Sequence, residues 1–187
     1  MNLYLIRHGE CSGNKGSYIG SGSDISINSL GIDQLRKLSS DLKNIIESES
    51  TIIYSSSLKR SVESSSILSR ELGISLNIDS RLNEINFGIW EGLTYNQIME
   101  GWSDIATIWY NNPFDITPPN GEPFRDFFNR VDSFFKELKE LKTYKNIVLV
   151  THGGVIQILS TIINNDSINN RWKYNIKRGE FTSFQIS

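Results

Sequence analysis

The sequence predicts an α/β protein, a three-layer α/β/α sandwich with a mostly parallel central sheet. Short, β-favouring apolar runs alternate along the chain with segments whose apolar residues recur at helical spacing, the order expected of βαβ units. One of those runs, Ile147-Val148-Leu149-Val150, is apolar without interruption, as suits a strand covered on both faces. The chain has 187 residues, 38% of them hydrophobic, with a single cysteine, Cys11. That length can bury a core without disulfide staples and reads as one domain over 1–187.

Asn2-Leu3-Tyr4-Leu5-Ile6-Arg7 is the first expected strand. A polar, glycine-rich loop follows, from His8 to about Asn28. Leu35, Leu38, Leu42, Ile45 and Ile46 fall at helical spacing, which predicts an amphipathic helix over about 29–48 with Asn28 as its cap. A second strand is expected at 51–54 and a second helix at 58–72, stopped by Gly73. A short third strand follows at 76–78. Residues 81–123 are the least regular part and hold all four prolines. Within them Ile98, Trp102, Ile105 and Trp109 predict a helix, and residues 92–123 read as a lid-like segment. Phe124, Phe127, Phe128, Val131, Phe134, Phe135, Leu138 and Leu141 form the strongest apolar stripe and predict a long core-facing helix. A strand at 146–150, a buried helix at 155–163 and a final strand at 181–186 complete the pattern.

Composition narrows the function. The formal net charge is −2 with no basic run, which speaks against nucleic-acid binding. No apolar run is long enough to span a membrane, and Arg7, His8 and Glu10 come too early for a signal sequence, so the expectation is a soluble, cytoplasmic protein. The oligomeric state is left open, with a homodimer as the candidate. One cysteine and two histidines, with no clustered carboxylates near them, make no metal cage, so neither metal nor cofactor is expected.

The two histidines occupy matched places. His8 ends a strand in Leu5-Ile6-Arg7-His8-Gly9-Glu10, and His152 ends another in Val150-Thr151-His152-Gly153-Gly154. Ligands of open parallel sheets bind outside the carboxyl ends of the strands, so both imidazoles are expected on that rim. Arg7 adds a permanent charge and a planar fork suited to phosphate, Arg60 lies early in the second helix on the same rim, and Asn14 offers a neutral donor. Such a set reads as a phosphate site. Gly9, Gly13, Gly16, Gly20 and Gly22 fit neither a P-loop nor a dinucleotide fingerprint.

With those residues in place, the chain resembles the histidine phosphatase superfamily, in its phosphoglycerate-mutase-like branch. The resemblance runs in order through Arg7-His8-Gly9-Glu10, Asn14, Ser55-Ser56-Ser57-Leu58-Lys59-Arg60, the segment from Leu82 to Gly92, and Thr151-His152-Gly153-Gly154. It implies a phosphoglycerate-mutase-like fold and a small phosphate ester as substrate. It also implies that His8 is the nucleophile forming a phosphohistidine, that Arg7, Arg60 and His152 bind the phosphoryl oxygens with Asn14 and Gly153 assisting, and that Glu84 is the proton donor. Glu91 is the rival for that last role, and a structural place in the Trp90-Glu91-Gly92 turn suits it better. Cys11, Ser26, Asn28, Ser57, Ser61 and Ser64 depart from the family's usual residues. The segment from Pro118 to Phe124 is similar to that of α-ribazole phosphatases, enzymes of cobalamin synthesis that act on α-ribazole 5′-phosphate or its cobamide form. The alternatives are a broad-specificity sugar or small-molecule phosphatase, a phosphoglycerate mutase, and a catalytically silent binding module. Trp102 and Trp109 are expected in the core, leaving Tyr95, Tyr110 and Phe114 as the freer substrate contacts.

Overall fold

In the computed structural model, residues 1–13, 16–141 and 143–186 are described, and they form a five-stranded sheet in the order β3-β2-β4-β1-β5. The strands are β1 (Asn2–Arg7), β2 (Thr51–Ser55), β3 (Leu76–Ile78), β4 (Asn146–Thr151) and β5 (Phe181–Gln185). The first four run parallel, and β5 runs antiparallel along β1. β1 and β4 are neighbours, with Arg7 opposite Thr151. The next residue of each strand is a histidine, so register alone sets His8 beside His152.

Alternation along the strands separates two cores. Tyr4, Ile6, Ile53, Val148 and Val150 face α1 (Ser29–Leu42) and α2 (Lys59–Leu72), meeting Leu35, Leu38, Leu42, Ile67 and Leu68. Leu3, Leu5, Ile52, Ile147 and Leu149 face α3 (Tyr95–Asn111), α4 (Phe124–Lys139) and α5 (Gly153–Ile163). Helices on both faces of a mostly parallel sheet are the three layers that the sequence predicts.

Two elements differ from expectation. α1 ends at Leu42, not near 48. The N–H groups of Ile45 and Ile46 both donate to the Leu42 carbonyl, at 2.9 and 3.0 Å, which curls the chain off the helix axis. Ile46 still reaches the core while Ile45 points to solvent, so a turn accounts for spacing that reads as helix. α3 is broken at Trp102 (φ −145°, ψ 37°), and its start is fixed by a capping box between Thr94 and Gln97.

α1 also braces the loop that carries His8. Asn28 caps the helix by accepting from the Gly31 N–H at 3.0 Å, and its own N–H donates to the Glu10 carbonyl at 2.8 Å. This brings Gly31 so close to Glu10 that a Cβ at 31 would overlap the Glu10 backbone. Gly31→Ala tests that contact. Alanine favours a helix by about 1 kcal/mol, but an overpacked backbone contact costs about 1–3 kcal/mol. The expected result is a net loss, read as a fall in melting temperature of roughly 2–8 °C. A variant melting at or above the wild-type temperature would show that the loop yields freely.

Candidate active site

His8 and His152 lie with ring centroids 5.2 Å apart, and both are buried. His8 Nδ1 is 2.8 Å from the Gly9 carbonyl. A carbonyl only accepts, so this contact places the ring proton on Nδ1 and leaves the Nε2 lone pair free. The Cys11 thiol donates to the same carbonyl at 3.4 Å, and the Gly9 N–H donates to Ser64 Oγ at 3.0 Å, fixing the turn beneath the ring.

Arg7 leaves the end of β1. Its Nη1 donates to the Ile176 carbonyl at 2.9 Å, while its buried Nε has no hydrogen-bond partner among the described residues. Arg60, in the first turn of α2, is fully buried. Carbonyls of the loop after β1 neutralise much of its cost: Nη1 donates to Ser23 O at 2.7 Å and Nη2 to Gly20 O at 3.0 Å. Arg60 Nε donates to His152 Nδ1 at 3.3 Å. Two hydroxyls, Ser56 Oγ at 2.7 Å and Ser61 Oγ at 3.3 Å, face His152 Nε2. Both His152 nitrogens are therefore held, and Arg60 and His152 form a layer beneath the surface that solvent reaches.

Glu84 is buried against the N-terminus of α5, accepting from the N–H groups of Gly154 and Ile85, each at 3.1 Å. Gly154 is bare of necessity, since a Cβ there would strike Glu84 Oε1. The Glu84 segment is clamped from α4. Arg130 donates to the carbonyls of Arg81, Asn83 and Glu84 at 2.8, 2.6 and 3.2 Å and pairs with Glu122 at 2.8 Å. Glu91 is elsewhere: it accepts from Gly22 N at 2.8 Å, Ser23 Oγ at 2.5 Å and Phe87 N at 3.3 Å. It ties down the loop whose carbonyls hold Arg60, and it does not line the cleft.

Electrostatics divide these groups. Burial, and then the nearby Arg60 and Arg7 charges, push the His8 pKa well below its ordinary 6.5. Burial and Arg60 do the same to His152. Burial pushes the Glu84 carboxyl up from its ordinary 4.5, outweighing its two backbone donors and the two arginines. The site thus holds a neutral imidazole with a free lone pair next to a carboxyl inclined to keep its proton, the pairing that acid-assisted nucleophilic displacement needs.

A cleft of about 580 Å³ opens over Arg7, His8, Glu84, Gly153 and Gly154. Gly153 sits at the α5 N-terminus against the Arg7 guanidinium. Asn14 lies outside the described residues. Among the aromatics, Tyr95 lines the cleft as expected, whereas Phe114 packs on Phe124 and Phe128. Tyr110 reaches the wall through Tyr18, Oη to Oη 2.9 Å. Trp109 is in the core and on the cleft wall at once. The C-terminal segment supplies what sequence reasoning missed: Arg171, Trp172, Asn175, Lys177 and Arg178 all line the cleft, with Arg178 paired to Glu10. The signal available was a cluster of cations about Trp172 in a segment with little apolar content.

Paired histidines, two arginines and a buried carboxyl at the carboxyl edge of a mostly parallel sheet make an arrangement able to bind and transfer a phosphoryl group. The chain belongs to the histidine phosphatase superfamily (branch 1), which it matches over residues 3–187, and it is a phosphatase acting on small phosphate esters. It is 27% identical to the adenosylcobalamin/α-ribazole phosphatase of Escherichia coli over 100% of this chain and 91% of that one. The α-ribazole phosphatase structure from Shigella flexneri superposes with a TM-score of 0.86 at 28% identity, covering 100% of this chain and 91% of that one. A mycobacterial glucosyl-3-phosphoglycerate phosphatase, solved with VO3, superposes with a TM-score of 0.84 at 26% identity, covering 97% and 91%. No helix among the described residues is long and apolar enough to cross a membrane.

The unpartnered Arg7 Nε gives an expectation for inhibition. Vanadate adopts the five-coordinate shape of an in-line displacement, which engages donors around its equatorial oxygens more fully than a tetrahedral ester does. Inhibition well below millimolar is expected with p-nitrophenyl phosphate as substrate, weakened by at least tenfold in Arg7→Met. Equal inhibition of both proteins would separate Arg7 from the phosphoryl group.

Proposed function

We propose that the chain is a phosphomonoesterase working through a phosphohistidine at His8, and that its substrate is α-ribazole 5′-phosphate or adenosylcobalamin 5′-phosphate. The observation that carries the chemistry is the Gly9 carbonyl on His8 Nδ1, which leaves Nε2 as the nucleophile beside an open Arg7 donor and the buried Glu84 carboxyl. In the first step Nε2 attacks phosphorus, the ester P–O bond breaks, and Glu84 gives its proton to the departing alkoxide. In the second, water attacks phosphorus, Glu84 takes a proton from it, the P–N bond breaks and inorganic phosphate leaves. Arg7 stabilises the equatorial oxygens from the cleft wall. Arg60 and His152 do so from beneath, once an anion draws their N–H groups from their present partners. Asn14 assists. Residues 92–123 form the cover, with Tyr95 and Trp109 on its cleft side. The cobalamin substrates are supported by two full-length relatives so named.

Two experiments bear on the mechanism. His8→Ala is expected to abolish turnover and to lose the acid-labile, alkali-stable ³²P label that wild type traps, because the atom that bonds phosphorus is gone. An active variant would sink the assignment. A substrate panel of α-ribazole phosphate, adenosylcobalamin 5′-phosphate, phosphoglycerate and sugar phosphates, read as kcat/KM, ranks the substrates.

Glu84→Gln separates leaving groups. General acid catalysis is worth about 10²–10⁴-fold, and a loss of roughly that size is expected for phosphorylation by an alkyl phosphate. Little is expected for p-nitrophenyl phosphate, whose phenolate leaves unaided. The pH profile carries the same signature. Activity requires neutral His8, so it rises through a pKa held below 6.5. It requires protonated Glu84, so it falls through a pKa held above 4.5. The kcat/KM profile for an alkyl phosphate is therefore bell-shaped, and its falling limb, due to Glu84, disappears in Glu84→Gln. If Glu91→Gln shows the leaving-group dependence instead, the acid is Glu91.

A further inference from the structure

Arg171 is the least expected charge in the molecule. It is 1% exposed, yet it lines the cleft. No carboxylate faces it among the described residues: Nη2 donates to the carbonyls of Trp109 and Tyr110, both at 3.2 Å, and Nη1 reaches that of Ile168 at 3.4 Å. Its guanidinium lies 4.4 Å from the Trp172 ring centroid and within 6 Å of those of Trp109 and Phe124. Burial lowers its pKa to about 10, still charged at neutral pH. Its hydrogen-bond partners are shared with neither Arg7 nor Glu84, and it is a charge that the fold keeps without a counter-ion among the described residues.

Other donors share that wall. Trp109 Nε1 is buried and has no hydrogen-bond partner among the described residues. Tyr18 and Tyr110 are joined by one hydrogen bond, so whichever phenol donates in it, the other's proton remains to give. A cation hydrogen-bonded only to carbonyls among the described residues, beside indole and phenol donors, is complementary to anionic oxygen.

We propose that this wall is a second anion subsite, centred on Arg171, so that preferred substrates are phosphomonoesters whose leaving group itself carries a negative charge. The subsite rests on the phosphomonoesterase reading and narrows it. A carboxylate, as in a phosphorylated hydroxy acid, and a phosphodiester both satisfy it. Of the two cobalamin candidates, α-ribazole 5′-phosphate leaves as a neutral nucleoside, whereas the leaving group of adenosylcobalamin 5′-phosphate carries a phosphodiester. The subsite thus favours the second.

The test measures kcat/KM on two matched pairs, 3-phosphoglycerate against glycerol 3-phosphate and adenosylcobalamin 5′-phosphate against α-ribazole 5′-phosphate. p-Nitrophenyl phosphate serves as the control for chemistry. Wild type is expected to prefer the anionic member of at least one pair by roughly 10–100-fold, the worth of a hydrogen bond to a charged group. The pair that discriminates identifies a carboxylate or a phosphodiester as the ligand. Arg171→Met is expected to collapse that ratio and Arg171→Lys to restore part of it. Trp109→Phe, which keeps an aromatic ring and removes the donor, is expected to lower it by several-fold. The ratio is the readout because a purely structural role for Arg171 would lower both members of a pair alike. Turnover of p-nitrophenyl phosphate with no preference in either pair, or a preference untouched in the variants that fold, overturns the subsite and leaves the phosphatase reading intact. Inactivity on every substrate overturns both.

Discussion

The parallel register of β1 and β4 is the constraint on which the site depends. Arg7 lies opposite Thr151, and the His8 N–H donates to the Thr151 carbonyl at 3.0 Å, continuing the ladder one residue past the strand. Two residues 144 apart in sequence are thereby set with ring centroids 5.2 Å apart, and no flexible loop intervenes. Both strands are central, and their inward-facing residues are buried on both faces. A slip of one residue would turn every apolar side chain to the wrong face. The spacing of the imidazoles is thus secured by the hydrophobic core, which makes it far stiffer than the side-chain contacts around it.

That rigidity allows an arrangement that a looser scaffold would relax away. Arg60 is buried and Arg7 partly buried near two neutral imidazoles, with Glu84, itself inclined to protonation, as the nearby carboxyl. Their charges are met mostly by carbonyl oxygens, whose dipoles compensate a guanidinium only in part. A phosphate dianion would complete the balance. The positive field that adds to burial in keeping His8 neutral is the same field that would attract a phosphate anion. One electrostatic feature therefore serves both the protonation state of the proposed nucleophile and the binding of its target.

Much of this was legible in the sequence because it is local. An apolar run, a strand end and a following glycine suffice to put His8 and His152 on the rim, and the strong stripe of α4 announces itself by periodicity alone. The end of α1 was not legible, since Ile45 and Ile46 keep helical spacing through a turn that has left the helix. Nor was the part of the C-terminal segment in the cleft. Arg171 looks like any solvated cation until the fold brings Trp109 and Phe124, 62 and 47 residues earlier in the chain, against it beside Trp172. Long-range burial of a charge leaves no periodic trace.

Glu84 and Glu91 show how far such reasoning reaches. Both lie in one irregular segment, and both accept backbone hydrogen bonds. What divides them is company. Glu91 takes three donors from the loop and turn it joins, including a hydroxyl at 2.5 Å, so its oxygens are spent on structure. Glu84 takes one donor per oxygen and faces the cleft, where burial raises its proton affinity. Glu91 nevertheless acts on the site at one remove. It holds the 20–23 loop, that loop's carbonyls hold Arg60, and Arg60 donates to His152. In the proposed mechanism the two carboxylates divide the labour between the reacting group and the frame that keeps a buried cation in place beneath it.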